Sequence, residues 1–202
     1  MKAFQASILG AAALAVAFAA QAQDYRSQAI SIMKRDFHAH GIAHMDRLDE
    51  DALQLICNRS DNSPPKGIAE TLQNDQLAGI KFPADGKFLG DWKSGEHIAQ
   101  TGRGMTFSDK AGQANGGSCY NCHQIGPNET SFGTIGNSLF HFGKIRGNTP
   151  VIQKYVYGKI YNAKAYNLCS KMPRFGHSGT LTEEQIKDLV ALLLDPNSPV
   201  NK

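Results

Sequence analysis

The sequence has little net charge and no long run of one sign. It carries 21 Lys and Arg against 18 Asp and Glu, which gives a formal net charge of +3. Lys and Arg nowhere form a run of five or more residues. A balance this small predicts no nucleic-acid partner, and any electrostatic steering must come from a local patch.

Long hydrophobic runs are also missing. The apolar stretch near the start, Ile8 to Ala20, is shorter than the ~20 residues that a membrane-spanning helix requires. Lys2 precedes this stretch, and the small residues of Ala20-Gln21-Ala22 follow it. This is the order of a secretory signal. We therefore predict a signal peptide over residues 1–22, cleaved after about Ala22, a periplasmic mature protein and no membrane span.

No segment alternates in the way that a β-strand does, and no segment repeats, so we predict an all-α fold. Apolar periodicity predicts helices over about residues 24–58 with a turn at Gly41, 91–101, 150–162 and 182–194. The last helix is the best defined. Thr182 and Gln185 match a capping box at its start, and Asp195-Pro196 ends it.

Proline and glycine interrupt the chain between these helices. Asp61 to Pro65 form a breaker cluster, and Pro83, Gly86 and Gly90 follow. We therefore predict an extended connection from this cluster to residue 90. The predicted organisation is a signal peptide at 1–22, a mostly helical extension and connection at 23–90, and a compact domain at 91–202.

Cysteine is scarce, with four residues in the chain, and two of them form a specific motif. Cys119 to His123 reads C-x-x-C-H, the pattern of c-type haem attachment. Two thiols one turn apart can each add to a haem vinyl group, and the adjoining imidazole then reaches the iron. A disulfide or a thioredoxin-like redox pair is the alternative, but no βαβ pattern surrounds the motif. We predict one haem c, held by Cys119 and Cys122, with His123 as an iron ligand.

The opposite face of the iron needs a second ligand or stays open. Met105, His141, Met172 and His177 are the candidates. We favour Met172, because it lies in an irregular stretch beside Pro173, whereas a core methionine normally lies on a periodic element. Ligation by His and Met leaves no open position on the iron and favours electron transfer over oxygen binding.

The surroundings of His123 are less well determined by the sequence. Its second ring N–H needs an acceptor, and the backbone carbonyls of Pro127 and Asn137 are both candidates. Three nearby aromatic residues can line the haem pocket or form a docking surface at the haem edge. They are Tyr120, Phe132 and Phe140.

The two remaining cysteines are Cys57 and Cys169. Export places them in an oxidising compartment, where an even remainder of two suits a single disulfide. We predict this bridge over free thiols, and expect it to fasten the N-terminal extension to the segment of Met172.

Three histidines near the N-terminus raise the alternative of a further metal site. His40 and His44 would lie one turn apart on a helix, close to His38. Because no thiol or carboxylate completes the set and Gly41 interrupts the helix, we favour exposed polar residues over metal ligands.

Four features, in this order, give the second half of the chain a family resemblance. They are the attachment motif, Gly133 to Leu139, Lys171 to Gly176, and the helical stretch from Leu181 to Leu194. The order resembles class I cytochrome c, and more narrowly the SoxX family, the monohaem subunits of SoxAX complexes. One residue departs from the pattern, because Asn137 stands where this class usually has proline.

The resemblance implies a fold, a function and partners. The fold would be a class I cytochrome c domain, with Cys119 and Cys122 holding haem and with His123 and Met172 as axial ligands. The chain would be the electron-transfer subunit of a heterodimeric L-cysteine S-thiosulfotransferase, which joins thiosulfate oxidatively to a cysteine of a sulfur-carrier protein. Bond formation would occur on the larger, SoxA-like subunit, so the chain would hold no catalytic residue and would pass electrons to a downstream acceptor. A free-standing periplasmic electron shuttle, or a haem enzyme or gas sensor with open iron, are the alternatives.

Overall fold

The computed structural model describes residues 25–202. The predicted signal peptide therefore lies outside the described residues. The chain divides into two compact units, one ending at Asp49 and the other running from Glu50 to Lys202. Residues 50–90, predicted as extension and connection, thus fold in the same unit as residues 91–202.

Within residues 25–49, the first unit contains an α-helix, a turn and a short 3₁₀ helix. Residues 25–36 form helix α1. Gly41 has a positive φ of 54° and turns the chain, so that His40 and Ala43 pair through their backbones. A short 3₁₀ helix, Met45–Leu48, follows. The predicted turn at Gly41 is therefore confirmed. The predicted helix over residues 24–58 was wrong for residues 37–44 and 49–51, which are not helical.

The second unit is built from helices, and the part of the chain that the structure describes contains no β-strand beyond the isolated His40 pair. The predicted all-α fold is confirmed. The helices are α2 Ala52–Arg59, α3 Lys66–Ala78, α4 Trp92–Gln100, α5 Phe142–Arg146, α6 Pro150–Tyr161 and α7 Glu183–Leu194. Three 3₁₀ helices lie between or after them: Cys119–Asn121, Ala163–Ala165 and Pro199–Asn201.

Side chains at the helix starts explain several boundaries. Asp91 accepts hydrogen bonds from the backbone N–H groups of Lys93 and Ser94 at the start of α4. Thr182 and Gln185 form the predicted capping box at the start of α7, and Asp195 follows the end of that helix. These caps supply acceptors to N–H groups that have no partner within the helix.

Helix α3 contradicts the predicted extended connection. Pro64 and Pro65 precede the helix, and Pro65 occupies its N-cap position. Proline at a helix start has no N–H that would need a partner there and has a φ that suits the first turn. The prolines therefore begin this helix instead of preventing one, and the prediction was wrong for Lys66–Ala78.

The main core forms where α4 packs against α7, with α6 also on α7. Gly95 makes this close approach possible, because a Cβ at that position would lie 2.2 Å from the Asp188 carbonyl oxygen. Ala99, Ile186, Val190 and Leu192 are almost completely buried at this contact. Burial of their apolar surface is the main stabilising contribution here.

A second, smaller core contains the disulfide. Leu53, Cys57 and Leu168 are buried together, with Ala69 and Leu72 packed against them. Helices α2 and α3 thereby pack onto the chain just before Met172. No helix within residues 25–202 is long and apolar enough to cross a membrane.

Candidate functional site

The predicted attachment residues lie on one tight turn. Cys119–Asn121 is a 3₁₀ helix, and the backbone N–H groups of Cys122 and His123 both donate to the Cys119 carbonyl, at 3.1 and 3.0 Å. Ser118 precedes the turn in the left-handed region, with φ of 49°. The turn therefore gathers two thiols and one imidazole over five residues.

The His123 ring is held in one orientation. Its Nδ1 lies 2.7 Å from the carbonyl oxygen of Asn137. Because a carbonyl can only accept, Nδ1 carries the proton and donates, which leaves the lone pair of Nε2 available to a metal. Of the two candidate carbonyls, the structure thus selects that of Asn137 and not that of Pro127. Asn137, which stands where the resembled class usually has proline, thus supplies this contact through its backbone carbonyl.

Gly136 lies directly against the same imidazole. A Cβ added there would lie 2.1 Å from Cε1 of His123 and 2.5 Å from Nδ1. The Gly136 N–H donates to the Cys122 carbonyl at 2.8 Å, which ties this loop to the attachment turn. Glycine is therefore required for the backbone to approach the ring.

Both thiols of the motif are free, and one is strongly perturbed. Burial raises the pKa of the Cys119 thiol to about 12. Cysteines in thiol-disulfide exchange enzymes instead have lowered pKa values, because the thiolate is the nucleophile. The raised pKa of Cys119 differs from that pattern.

Tyr120, the residue between the thiols, is buried, with 5% of its surface exposed. Its hydroxyl donates to the Glu96 carboxylate at 2.9 Å and accepts from the Gly126 N–H at 3.0 Å. Burial is the main cause that raises the pKa of both Tyr120 and Glu96. Tyr120 thus fastens the turn to α4, and it cannot form part of an exposed docking surface.

The segment that contains Met172 is anchored on both sides. Cys169 forms the predicted disulfide with Cys57, with an S–S distance of 2.04 Å and a Cα–Cα distance of 5.6 Å. Arg174 pairs with Asp51, the N-cap residue of α2. Burial opposes ionisation of Asp51, but the Gln54 N–H and Arg174 outweigh it and lower the pKa of that carboxyl.

Met172 itself is half-buried and packs against the main core. Gly176 follows closely, and its N–H donates to the Tyr161 carbonyl at 3.1 Å. A Cβ at Gly176 would lie 2.2 Å from the Tyr161 ring. The short segment is therefore fixed to α6 as well as to α2.

The other candidates for a second axial ligand have different surroundings. Nε2 of His141 lies 3.0 Å from the Lys202 carbonyl, and its ring stacks on Phe140. Met105 is 36% exposed. Burial, with Arg174 nearby, lowers the pKa of His177, whose backbone N–H donates to the Tyr161 carbonyl.

The N-terminal histidines form no ligand cluster. Within residues 25–202, no group of three or more His, Cys, Asp or Glu side chains is placed to hold a metal ion.

The residues present fit a covalently attached haem. The turn offers two unbonded thiols and an imidazole whose Nε2 is free to coordinate, which is the donor set that this group needs. Beside Gly136, the apolar residue Ile135 is 83% exposed.

Two contacts that hold the site in place could not be predicted from the sequence. Glu96 lies 24 residues before its partner Tyr120, and Asp51 lies 123 residues before Arg174. No local spacing links residues so far apart. The role of Gly136 could have been predicted from the sequence, because this residue directly precedes Asn137, whose carbonyl was a candidate partner of His123.

The fold and the site define an all-α, disulfide-bonded protein whose C-x-x-C-H turn presents two thiols and an oriented imidazole. No family model matches the chain. The chain is similar to an uncharacterized lipoprotein of Aquifex aeolicus (strain VF5), with 37% identity over 155 residues, which cover 76% of this chain and 73% of that protein. Our chain belongs to the family of that lipoprotein.

Proposed function

We propose that this protein is an exported monohaem cytochrome c of the SoxX type, the electron-transfer subunit of a thiosulfate-oxidising complex. One observation carries the proposal. The attachment turn holds two free thiols, and the proton that His123 donates to Asn137 leaves Nε2 for an iron ion. The predicted class I cytochrome c domain is part of this proposal.

Four residues of the chain would hold the haem. Cys119 and Cys122 would form two thioether bonds, and His123 and Met172 would be the axial ligands. Haem, when bound, supplies a reversible one-electron couple. Asn137 and Gly136 orient the imidazole, while the disulfide and the Asp51–Arg174 pair hold the segment of Met172.

Two features support export. The Cys57–Cys169 disulfide is typical of proteins that reach an oxidising compartment. The related Aquifex aeolicus protein is described as a lipoprotein, which agrees with a periplasmic location. The predicted signal at residues 1–22 would direct this route.

The SoxX assignment also implies partners. Bond formation between thiosulfate and a carrier cysteine would occur on a larger SoxA-like cytochrome subunit, and the present chain would take up the released electrons and pass them to an acceptor. Accordingly, no side chain described above is proposed to make or break a substrate bond.

Co-expression with a SoxA-like subunit tests this function. We expect the two chains to co-elute in size exclusion and the pair to couple thiosulfate to a carrier cysteine. A monomer with a normal His/Met haem spectrum would instead favour the free-standing electron shuttle. Loss of the weak far-red sulfur-to-iron band in Met172→Ala, but not in Met105→Ala, would identify the axial sulfur.

A further inference from the structure

An open cleft lies between α4 and the loop that leads to the attachment turn. Its volume is about 530 Å³, which falls in the range of small-molecule sites. One wall comes from α4, and the other comes from residues 114–116 of the loop and from Gln185 in the first turn of α7. The residues proposed to hold haem do not line it.

Basic side chains from two elements face this cleft. Lys93 and His97 are four residues apart on α4, so they lie on one face of the helix. Arg103 lines it from the following loop. No Asp or Glu side chain is among the lining residues, so the cleft has a surplus of positive charge.

The other polar lining groups are largely committed to the fold. The Gln185 amide donates to the Asn115 carbonyl at 2.7 Å, and the Asn115 amide donates to the Thr180 carbonyl at 2.9 Å. By contrast, within residues 25–202 neither Lys93 nor Arg103 has a carboxylate within ion-pair distance. The Lys93 ammonium lies over the Trp92 ring, 5.7 Å from its centroid, which leaves its N–H groups for an anion. Neither cation is therefore neutralised by an ion pair.

Two carboxylates lie close enough to influence these cations without lining the cleft. Asp91 uses its oxygens on the N–H groups at the start of α4, including that of Lys93. Asp109 accepts from Thr106, which is the main cause that lowers its pKa, and Arg103 contributes least. Both acceptors are thus engaged elsewhere.

Backbone hydrogen bonds hold the two walls of the cleft together. The Gly116 N–H donates to the Arg103 carbonyl at 2.7 Å, and the Ser118 N–H donates to the Thr101 carbonyl at 2.9 Å. A Cβ at Gly116 would lie 1.9 Å from the Thr101 carbonyl oxygen, so the loop sits directly against the end of α4. Such a fixed wall reduces the ordering cost of binding.

We propose that this cleft binds a small polyanion through Lys93 and Arg103, with His97 beside them. A guanidinium binds two oxygens of a carboxylate or phosphate at once, and an ammonium adds a point charge. The size of the cleft suits a molecule with two or more such groups better than a single small ion. The proposal is independent of haem attachment.

Titration calorimetry of the mature, full-length protein tests the cleft, with citrate and pyrophosphate as probes at constant ionic strength. The two probes distinguish a carboxylate ligand from a phosphate ligand. We expect saturable binding of at least one of them, weakened at least about tenfold in Lys93→Ala/Arg103→Ala.

The matched control is Arg59→Ala/Lys66→Ala, which removes the same charge from exposed positions outside the cleft. It should bind like the unmodified protein. Equal weakening in both double variants, or no saturable binding of either probe, would overturn the proposal. Circular dichroism checks that each variant folds. Lys93→Arg keeps the positive charge and should bind with the affinity of the unmodified protein.

Discussion

At the scale of single residues, the orientation of the His123 ring is determined by a backbone carbonyl of a neighbouring loop. The sequence identified His123 but left its acceptor open between Pro127 and Asn137. Only the folded loop decides the matter, because it brings the Asn137 carbonyl to 2.7 Å from Nδ1. A backbone carbonyl has no side-chain signature, so the sequence had no means of choosing.

Gly136 provides the first residue-scale prediction. In Gly136→Ala, the new Cβ would lie 2.1 Å from the His123 ring, so the imidazole or the loop must move. We expect a lower thermal midpoint and a smaller fraction of haem-loaded protein. Gly67→Ala is the control, since a Cβ there meets nothing within 4 Å. Equal haem loading and stability in the two variants would show that the glycine is not needed.

Glu96 gives a pH-dependent prediction. Burial raises the pKa of its carboxyl, while the Tyr120 hydrogen bond opposes this shift. The folded state therefore holds the proton more tightly than the unfolded chain, so this group stabilises most below its unfolded-state pKa. That stabilisation is lost as pH rises through the folded-state pKa.

The measurement compares the free energy of unfolding of the unmodified protein with that of Glu96→Gln from about pH 4 to 7. The value for the unmodified protein minus that for the variant should fall as pH rises. Glu70→Gln, which removes an exposed carboxylate, controls for the lost charge. A difference that is constant or increases with pH would contradict the expected burial effect.

At the scale of helices, the caps were predictable and one helix was not. Thr182 and Gln185 act locally, so their pattern is visible in the sequence, and the structure confirms it. Asp91 caps α4 in an equally local way. Helix α3 was missed because Pro64 and Pro65 look like breakers unless their position at a helix start is known. The same residue type stops or starts a helix according to its place.

The contact between α4 and α7 depends on Gly95. We expect Gly95→Ala to reduce the free energy of unfolding by about 1–3 kcal/mol, because its Cβ would overlap the Asp188 carbonyl. Gly67→Ala, also within a helix, should instead be neutral or stabilise by up to about 1 kcal/mol. Urea unfolding measures both, and equal effects would argue against close packing at this contact.

The disulfide links α2 to the segment of Met172. Replacing both cysteines, Cys57→Ala/Cys169→Ala, should cost about 2–5 kcal/mol and increase amide exchange in residues 169–177. Hydrogen exchange by mass spectrometry measures the local effect. Reductant should change the unmodified protein in the same direction and leave the double variant unaffected. Unchanged exchange in this segment would show that the bridge does not restrain it.

At the scale of the whole molecule, one long-range contact could be predicted from the sequence and others could not. Counting cysteines was enough to predict the Cys57–Cys169 bridge, although the two residues are 112 positions apart. The Asp51–Arg174 ion pair could not be predicted in this way, because the chain has many other acidic and basic residues. Likewise, residues 50–90 lie in one unit with the rest of the chain because the Asn162 amide donates to Gln76 and the Tyr157 hydroxyl donates to the Lys81 carbonyl.

Covalent attachment of haem at Cys119 and Cys122 is the central claim to be tested. The most direct measurement is peptide mass spectrometry of the mature protein, purified from a bacterial host that attaches haem c in its periplasm. We predict one haem bound to the peptide that contains Cys119–His123, and none in Cys119→Ala/Cys122→Ala. Recovery of that peptide from the unmodified protein with both cysteines as free thiols, or joined to each other, would contradict the account.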